Sequence, residues 1–528
     1  MIFCGIYYII YRYSASDIKV THIKNGIFAE DVYSGDNMKE RTKRQKAIIR
    51  RRIFLAGIAV LVAVCTMLLC LLIRAIVKNV KSDGNLSSNS SGYTSVIPDI
   101  PESSDAPSSS ETSEVSDSSK QTPSVASSSS ATPAYKSTRK NYVTEKSGKV
   151  VASATVVNTG DIILHSTVLD GAKTADGGYD FSAFFKEAEK YFKAADLSTA
   201  NLEVTLGGSE SGAYSGYPAF NSPDSLLDTI KASGIKFLTT TNNHCYDTGL
   251  HGLKRTVSQL KAKGIDFIGT KETASDPTYT VKNVNGIKIG IAAYTYENKS
   301  AAGQKSINGN TVAAEAKSLI NSFNYDRINE FYAEAQTVIT QMEQNGADVV
   351  VFYMHWGEEY QLKANTWQKS IAQKLCNMGV NVIVGGHPHV VQPVELIHSE
   401  DSQNTTVCIY SMGNAISNQR QEIMNPECTT GHTEDGVLFY YTFKKYEDGA
   451  TVLSGVDVIP TWVNKYRGGS GYQYTMYPLE TESMADNYGF DATTLAKAKA
   501  SYLRTKATVA AGLNECQSAL GCTVRFAE

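Results

Sequence analysis

The stretch VVVFYMHWGEEYQLKANTWQKSIAQKLCNMGVNVIVGGHPHVVQ, from Val349 to Gln392, decides the fold. Short β-branched runs at Val349–Tyr353 and Val380–Val384 flank a segment with helical apolar spacing near Trp367–Met378, which predicts strand, helix, strand. In a parallel βαβ unit, His355 after the first strand and His387 and His389 after the second lie at the carboxyl edge of the sheet, where α/β folds place ligands. Gly385 and Gly386 allow the sharp turn there. The alternating pair at 387 and 389 can aim two imidazoles at one place, and neutral imidazole ligates transition metals. A single histidine here would more often be a loop residue bonded to backbone; three that end adjacent strands point to a divalent-metal site.

The same pattern extends toward the amino terminus. Ala154–Asn158 reads as a strand ended by Thr159–Gly160–Asp161, which places a carboxylate at the same kind of edge. A helix near Phe181–Ala194 leads to Ala200–Asn201–Leu202–Glu203, ending in a second carboxylate. A helix over Pro223–Ser233 and a strand Phe237–Thr240 precede Asn242–Asn243–His244, with Asp247 close behind; a helix over Gly252–Lys263 and a strand Asp266–Ile268 follow. Strands alternating with helices through Tyr296 predict an α/β fold with a mainly parallel or mixed sheet and covered faces. Asn298–Asn310 reads as a polar loop and Tyr325–Gln344 as a helix. Beyond the opening stretch, Val407–Tyr410 is a strand ending in Ser411–Met412–Gly413–Asn414, Gly436–Phe443 and Thr451–Ile459 are antiparallel strands, and Thr493–Ala511 is a helix.

Ahead of this α/β region the chain changes character. Residues 1–52 form an N-terminal segment that turns basic from Lys39, and residues 53–73 carry no charge. Roughly 21 residues at 1.5 Å rise span about 31 Å, the thickness of a bilayer's hydrocarbon core, so this run predicts a transmembrane helix. The denser basic flank on its amino side places the N-terminus in the cytoplasm and the rest of the chain outside the cell membrane. Residues 82–146, rich in serine with almost no large apolar side chains, cannot bury enough surface to offset ordering and read as a disordered tether. The folded ectodomain is expected over 150–465, with a C-terminal helical extension over 466–528.

A net charge of −3 gives no field that favours nucleic acid. The 9 cysteines lack metal-ligand spacing; most fall in predicted helix or sheet, where cysteine packs as a small hydrophobe. Cys516 and Cys522 could close a disulfide outside the cytoplasm. Glu358 and Glu359 read as acids at a helix start, complementing its dipole, or as a general base near His355. Trp356 reads as core, and His251, His398 and His432 as ordinary surface residues.

The ordered set GDIIL, NLE, TNNHCYDTG, HWGEEY, GGHPHVVQPVE and YSMGN resembles the CapA/PgsA poly-γ-glutamate capsule-synthesis family over about residues 152–465. That family is similar to the calcineurin-like metallophosphoesterases, so the resemblance implies a sandwich of two mixed β-sheets flanked by helices, with a two-metal centre. It implies metal-ligand positions for Asp161, Glu203 as the bridging carboxylate, Asn243, His355, His387 and His389, and the proton-donor position for His244, and it places Ser411 and Asn414 at the pocket floor. The ions it implies are manganese, iron or zinc. Two departures stand out: Ile163 occupies the histidine position of the phosphoesterase D-x-H, with His165 two residues on, and the shorter NLE replaces GDxxD.

Two function classes follow from these residues. In one, a membrane-anchored surface protein serves biosynthesis or export of an anionic capsule polymer, beside a polymer synthetase and membrane-channel subunits. In the other, the domain is a metal-dependent hydrolase or transferase, with Asp161 and His244 in the catalytic set, acting on a cell-envelope substrate.

Overall fold

A computed structural model describes residues 147–299, 303–424, 428–469 and 471–521. The basic N-terminal segment, the expected membrane helix at 53–73 and the serine-rich tether lie outside these. Among the described residues no helix is long and apolar enough to cross a membrane.

The chain first lays down β1 (Val150–Ile162), β2 (Leu197–Leu202), β3 (Phe237–Thr239) and β4 (Asp266–Ile268). It crosses to a second sheet with β5 (Tyr279–Val284), β6 (Ile287–Tyr296), the small hairpin β7 (Ser306–Ile307) and β8 (Asn310–Thr311), β9 (Ser322–Phe323), β10 (Val349–His355), β11 (Val382–Gly386), β12 (Val394–His398) and β13 (Thr405–Ile409). It then returns through β14 (Asn414–Ile416), β15 (Asp435–Tyr446), β16 (Thr451–Arg467) and β17 (Tyr472–Pro478). The larger sheet runs β17-β16-β15-β1-β2-β3-β4, with β14 also on β1; the smaller runs β12-β13-β11-β10-β6-β5, with β9 on β6. Both are mixed. Strands β1 to β4 are parallel to one another, as are β6, β10, β11 and β13, while β15 joins β1 antiparallel.

The near-continuous apolar runs of the central strands follow from burial on both faces. In β10, Val349, Val351 and Tyr353 point into a core shared with the larger sheet. Val350, Phe352 and Met354 point the other way, under helices α5 (Ile328–Gln344) and α6 (Thr366–Asn377). Helix α6 starts at a capping box between Asn365 and Gln368, and it buries Gln368, Ile371, Ala372, Leu375 and Cys376, one stripe at helical spacing. The outer face of the larger sheet is covered by α1 (Ser166–Ala172), α2 (Glu189–Ala194), α3 (Ser225–Ser233) and α4 (Gly249–Lys263) through an aromatic-rich cluster that includes Phe181, Phe185 and Phe192. The result is four layers: helices, sheet, sheet, helices.

Several sequence expectations change. The helix expected over Phe181–Ala194 shrinks to α2, because the phenylalanines before it sit in successive turns, with Phe184 N–H bonded to Phe181 and Ala188 N–H to Phe185. The polar loop Asn298–Asn310 contains β7 and leads into β8, closed by Asn308 and Gly309 at positive φ. The C-terminal extension is not purely helical: β17 adds a tyrosine-rich edge to the larger sheet before α7 (Ala492–Leu520). Helix α7 packs back onto β16 and β12, and a Cβ on its Gly512 would lie 1.8 Å from the Val394 carbonyl, so only glycine allows this approach. Cys516 is buried in the inter-sheet core; Cys522 lies outside the described residues.

Candidate metal centre

The parallel strands of both sheets end at one edge, and each carries a polar side chain there. Asp161 ends β1, Glu203 follows β2 and Asn243 and His244 follow β3; His355 ends β10, and His387 and His389 follow β11. All are buried, Asp161 and Glu203 completely. The turn after β11 is tight enough to hold His387 and His389 at φ 95° and 55°, a conformation that side-chain-bearing residues seldom adopt away from functional sites. Gly386 gives the clearance: a Cβ there would lie 3.0 Å from Asp161 Oδ1.

Two sets of three ligand atoms, each set within 4.8 Å, could hold a metal ion: Asp161, Glu203 and His355, and Glu203, His387 and His389. Glu203 belongs to both. Its Oε1 lies 3.4 Å from His355 Nε2 and 3.7 Å from His389 Nε2. Asn243 Oδ1 accepts from His355 Nε2 at 2.7 Å, and Asp161 Oδ2 lies 3.3 Å from His389 Nδ1. Both Glu203 oxygens and His387 Nδ1 are buried with no hydrogen-bond partner among the described residues. Such unsatisfied groups cost about 1–3 kcal/mol each, and cations accepted by mixed oxygen and nitrogen donors would satisfy them.

The electrostatics agree with this. Burial, reinforced by the Asp161 charge, pushes the Glu203 carboxyl well above its usual range. Burial likewise pushes His355 down to about 3 and His387 well below its ordinary value, so both present unprotonated rings. At His389 burial acts the same way but is outweighed by the hydrogen bond and charge of Asp161, which hold it high. At Asp161 the burial cost is outweighed by His389, His355 and Asn201, which hold it low. In the absence of cations, Asp161 and His389 thus form a buried ion pair beside a carboxyl that favours its proton.

The supporting residues hold roles that the sequence did not assign to them. Asn201 Nδ2 donates to Asp161 Oδ1 at 2.8 Å, while its Oδ1 accepts from Asn242 and Thr239. Asn414 Oδ1 lies 3.0 Å from His389 Nδ1, and its amide nitrogen reaches Gln419 and the Thr433 carbonyl. Asp247 Oδ2 lies 2.8 Å from His244 Nδ1 and also accepts from Phe220 N. The spacing of His244 and Asp247, three residues apart, was the available signal.

Other expectations resolve plainly. His165 joins neither donor set: its Nδ1 accepts from Asn418 N at 3.3 Å and its ring meets Phe220 edge-on. Glu358 and Glu359 do not start a helix, because a turn intervenes before Thr366; both are exposed at the mouth of the site. Trp356 is core, its Nε1 donating to the Tyr410 carbonyl. Ser411 and Asn414 are buried at the floor, whereas His251, His398 and His432 pair locally with Ser211, Thr405 and Thr430.

Residues 155–419, half of the chain, match the family described as bacterial capsule synthesis protein PGA_cap. The chain belongs to that family. Every ligand candidate above falls inside the PGA_cap region. Two similar proteins are the PGA biosynthesis protein CapA of Bacillus subtilis, 28% identical over 281 residues, and the capsule biosynthesis protein CapA of Bacillus anthracis, 26% identical over 310 residues. The matches cover 52% and 58% of this chain and 65% and 66% of the relatives, so the chain spans just under two thirds of their length. Among solved structures, Haemophilus influenzae NAD nucleotidase (NadN) is similar at 14% identity and a TM-score of 0.38, covering 68% of this chain and 64% of that one, a likeness too loose to build on.

Proposed function

We propose that this PGA_cap chain is a membrane-anchored, extracytoplasmic protein for biosynthesis or export of a poly-γ-glutamate-type capsule polymer. Its domain, of the calcineurin-like metallophosphoesterase kind, would hold divalent manganese, iron or zinc between its two sheets. The observation that carries the metal reading is Glu203, a carboxylate with no hydrogen-bond partner among the described residues, placed between His355 on one side and His389 on the other. Asp161, Asn243 and His387 would complete the ligands. Bound there, divalent ions would polarise a phosphoryl or acyl oxygen and lower the pKa of water. A polymer synthetase and membrane-channel subunits are the partners this reading calls for.

A second reading, a hydrolase acting on a cell-envelope substrate, is favoured by His244 and Asp247. An imidazole that donates from Nδ1 to Asp247 keeps Nε2 as the position that exchanges a proton with a bound group. Phe220, edge-on to His244 at 4.6 Å, fixes the ring plane. Replacing His244 with glutamine separates the two readings. For a hydrolase, capsule output or turnover falls on the order of 10²–10⁴-fold with metal content intact, the usual contribution of general acid catalysis. For a non-catalytic capsule protein, output survives. Elemental analysis of the wild type reports on the metal directly, and a content near zero after supply of manganese, iron or zinc would remove that part of the proposal.

A further inference from the structure

Beyond β15, the hairpin of β16 and β17 continues past the edge where the metal centre lies: β15 begins opposite Trp462, whereas β16 and β17 stay paired out to Arg467 and Tyr472. On this overhang Lys465 stands opposite Tyr474, and Arg467 opposite Tyr472. Residues two apart on a strand share a face, so the two cations lie together beside Tyr472, which is exposed, and Tyr474, which is buried. Lys465 Nζ lies 4.5 Å from the Tyr472 ring centre and 5.8 Å from that of Tyr474; Arg467 Cζ lies 5.2 Å from Tyr472. No carboxylate pairs with either cation among the described residues. Lys465 is half-buried, and that burial depresses its ammonium, with the charge of Glu422 opposing and that of Arg420 assisting. A partly desolvated cation held by ring faces and neutral oxygen, with no carboxylate paired to it, retains attraction for an anion.

The patch is connected to the mouth of the centre. Lys465 Nζ donates to Asn418 Oδ1 at 3.1 Å, and Tyr474 Oη donates to the same oxygen at 2.6 Å. Asn418 N donates to His165, His165 packs on Phe220, and Phe220 packs on His244. The loop before Phe220 carries Tyr217, 75% exposed.

We infer that Lys465, Arg467 and Tyr472 form a subsite for an extended polycarboxylate chain, holding its carboxylates on the cations while its backbone lies along the exposed face of Tyr472 beside the metal centre. This rests on the capsule-polymer reading and specifies where the polymer docks. The cations supply the grip on the carboxylates of such a chain.

The test is binding of a γ-linked glutamate oligomer of about ten residues to the purified full chain by calorimetry. The double variant Lys465→Gln/Arg467→Gln should weaken binding roughly tenfold or more, as loss of paired charge contacts does, with thermal midpoint and metal content unchanged. Lys465→Arg should keep most of the affinity. Failure of the wild type to bind the oligomer, or equal binding by the double variant, overturns the subsite. Tighter binding of a polyphosphate of equal charge overturns the assignment to carboxylates. A capsule-deficient strain supplied with the wild-type chain reports separately on the parent reading: if capsule returns while the double variant binds normally, only the subsite is lost; if capsule does not return, the parent reading is lost as well.

Discussion

Glu203 is the residue on which the centre turns, and its burial without a hydrogen-bond partner gives it opposite effects in two states. In metal-free protein it costs stability, because a carboxyl removed from water faces Asp161 and two imidazoles. Glu203→Gln should therefore raise the melting temperature in chelator, by an amount equivalent to about 1–3 kcal/mol, and lower it when metal is supplied, because a shared ligand is gone. Paired scanning calorimetry reads both signs, and a change of the same sign in both conditions would contradict a ligand role. Acid should act on the buried histidines of the chelated protein. Burial sets His165 at about 4 and His355 at about 3, below the ordinary histidine value near 6.5. The unfolded chain thus takes up these protons first as pH falls, so the stability they contribute is full above pH 6.5 and is lost on the way to pH 4. His387 adds to this trend, whereas His389, raised by Asp161, and the carboxyls of Glu203 and Asp435, raised by burial, oppose it. In the Glu203→Gln variant, which removes one opposing carboxyl, the melting temperature should fall between pH 7 and 4.5; a flat or rising profile there would mean these rings are not buried neutral.

At the scale of elements, Gly512 tests how α7 is seated. A side chain there meets the Val394 carbonyl, so Gly512→Ala should push the helix off β12 and destabilise the fold by about 1–3 kcal/mol, measured as a lowered urea midpoint. An unchanged midpoint would show that the helix is loosely held. The elements bearing the site were legible because each combined a β-branched run with a polar stop: Val349–His355 extends its sequence reading by two residues at one end, and Val382–Gly386 is shifted from its reading by two at both. The antiparallel pair β5 and β6 and the hairpin β7 and β8 were harder to read, although both turn on Asn-Gly, at 285–286 and 308–309, with positive φ at every position. That signal was present and was outweighed by the alternation of strands and helices around it. The donor set was legible in type but not in support, since Asn201 and Asn414 act through contacts across 40 and 25 residues of sequence that no local pattern encodes.

For the whole molecule, the proposed topology makes the α/β domain accessible from outside. Protease added to intact cells should release it by cutting within the serine-rich 82–146 tether, and protection until the membrane is permeabilised would reverse the orientation. The arrangement of β1 has a further consequence. Its neighbour β15 arrives late, with Asn158 bonding Phe439 across 281 residues, and lies beyond the region that matches the family, which ends at residue 419. During synthesis the first strand therefore waits with one long apolar edge open while nearly the whole domain is made. A chain cut at 419 would keep every candidate ligand and still present that edge to other copies of itself. Such a fragment should collect as aggregates rather than as a small working enzyme, so the boundary of shared ancestry and the boundary of autonomous folding do not coincide here.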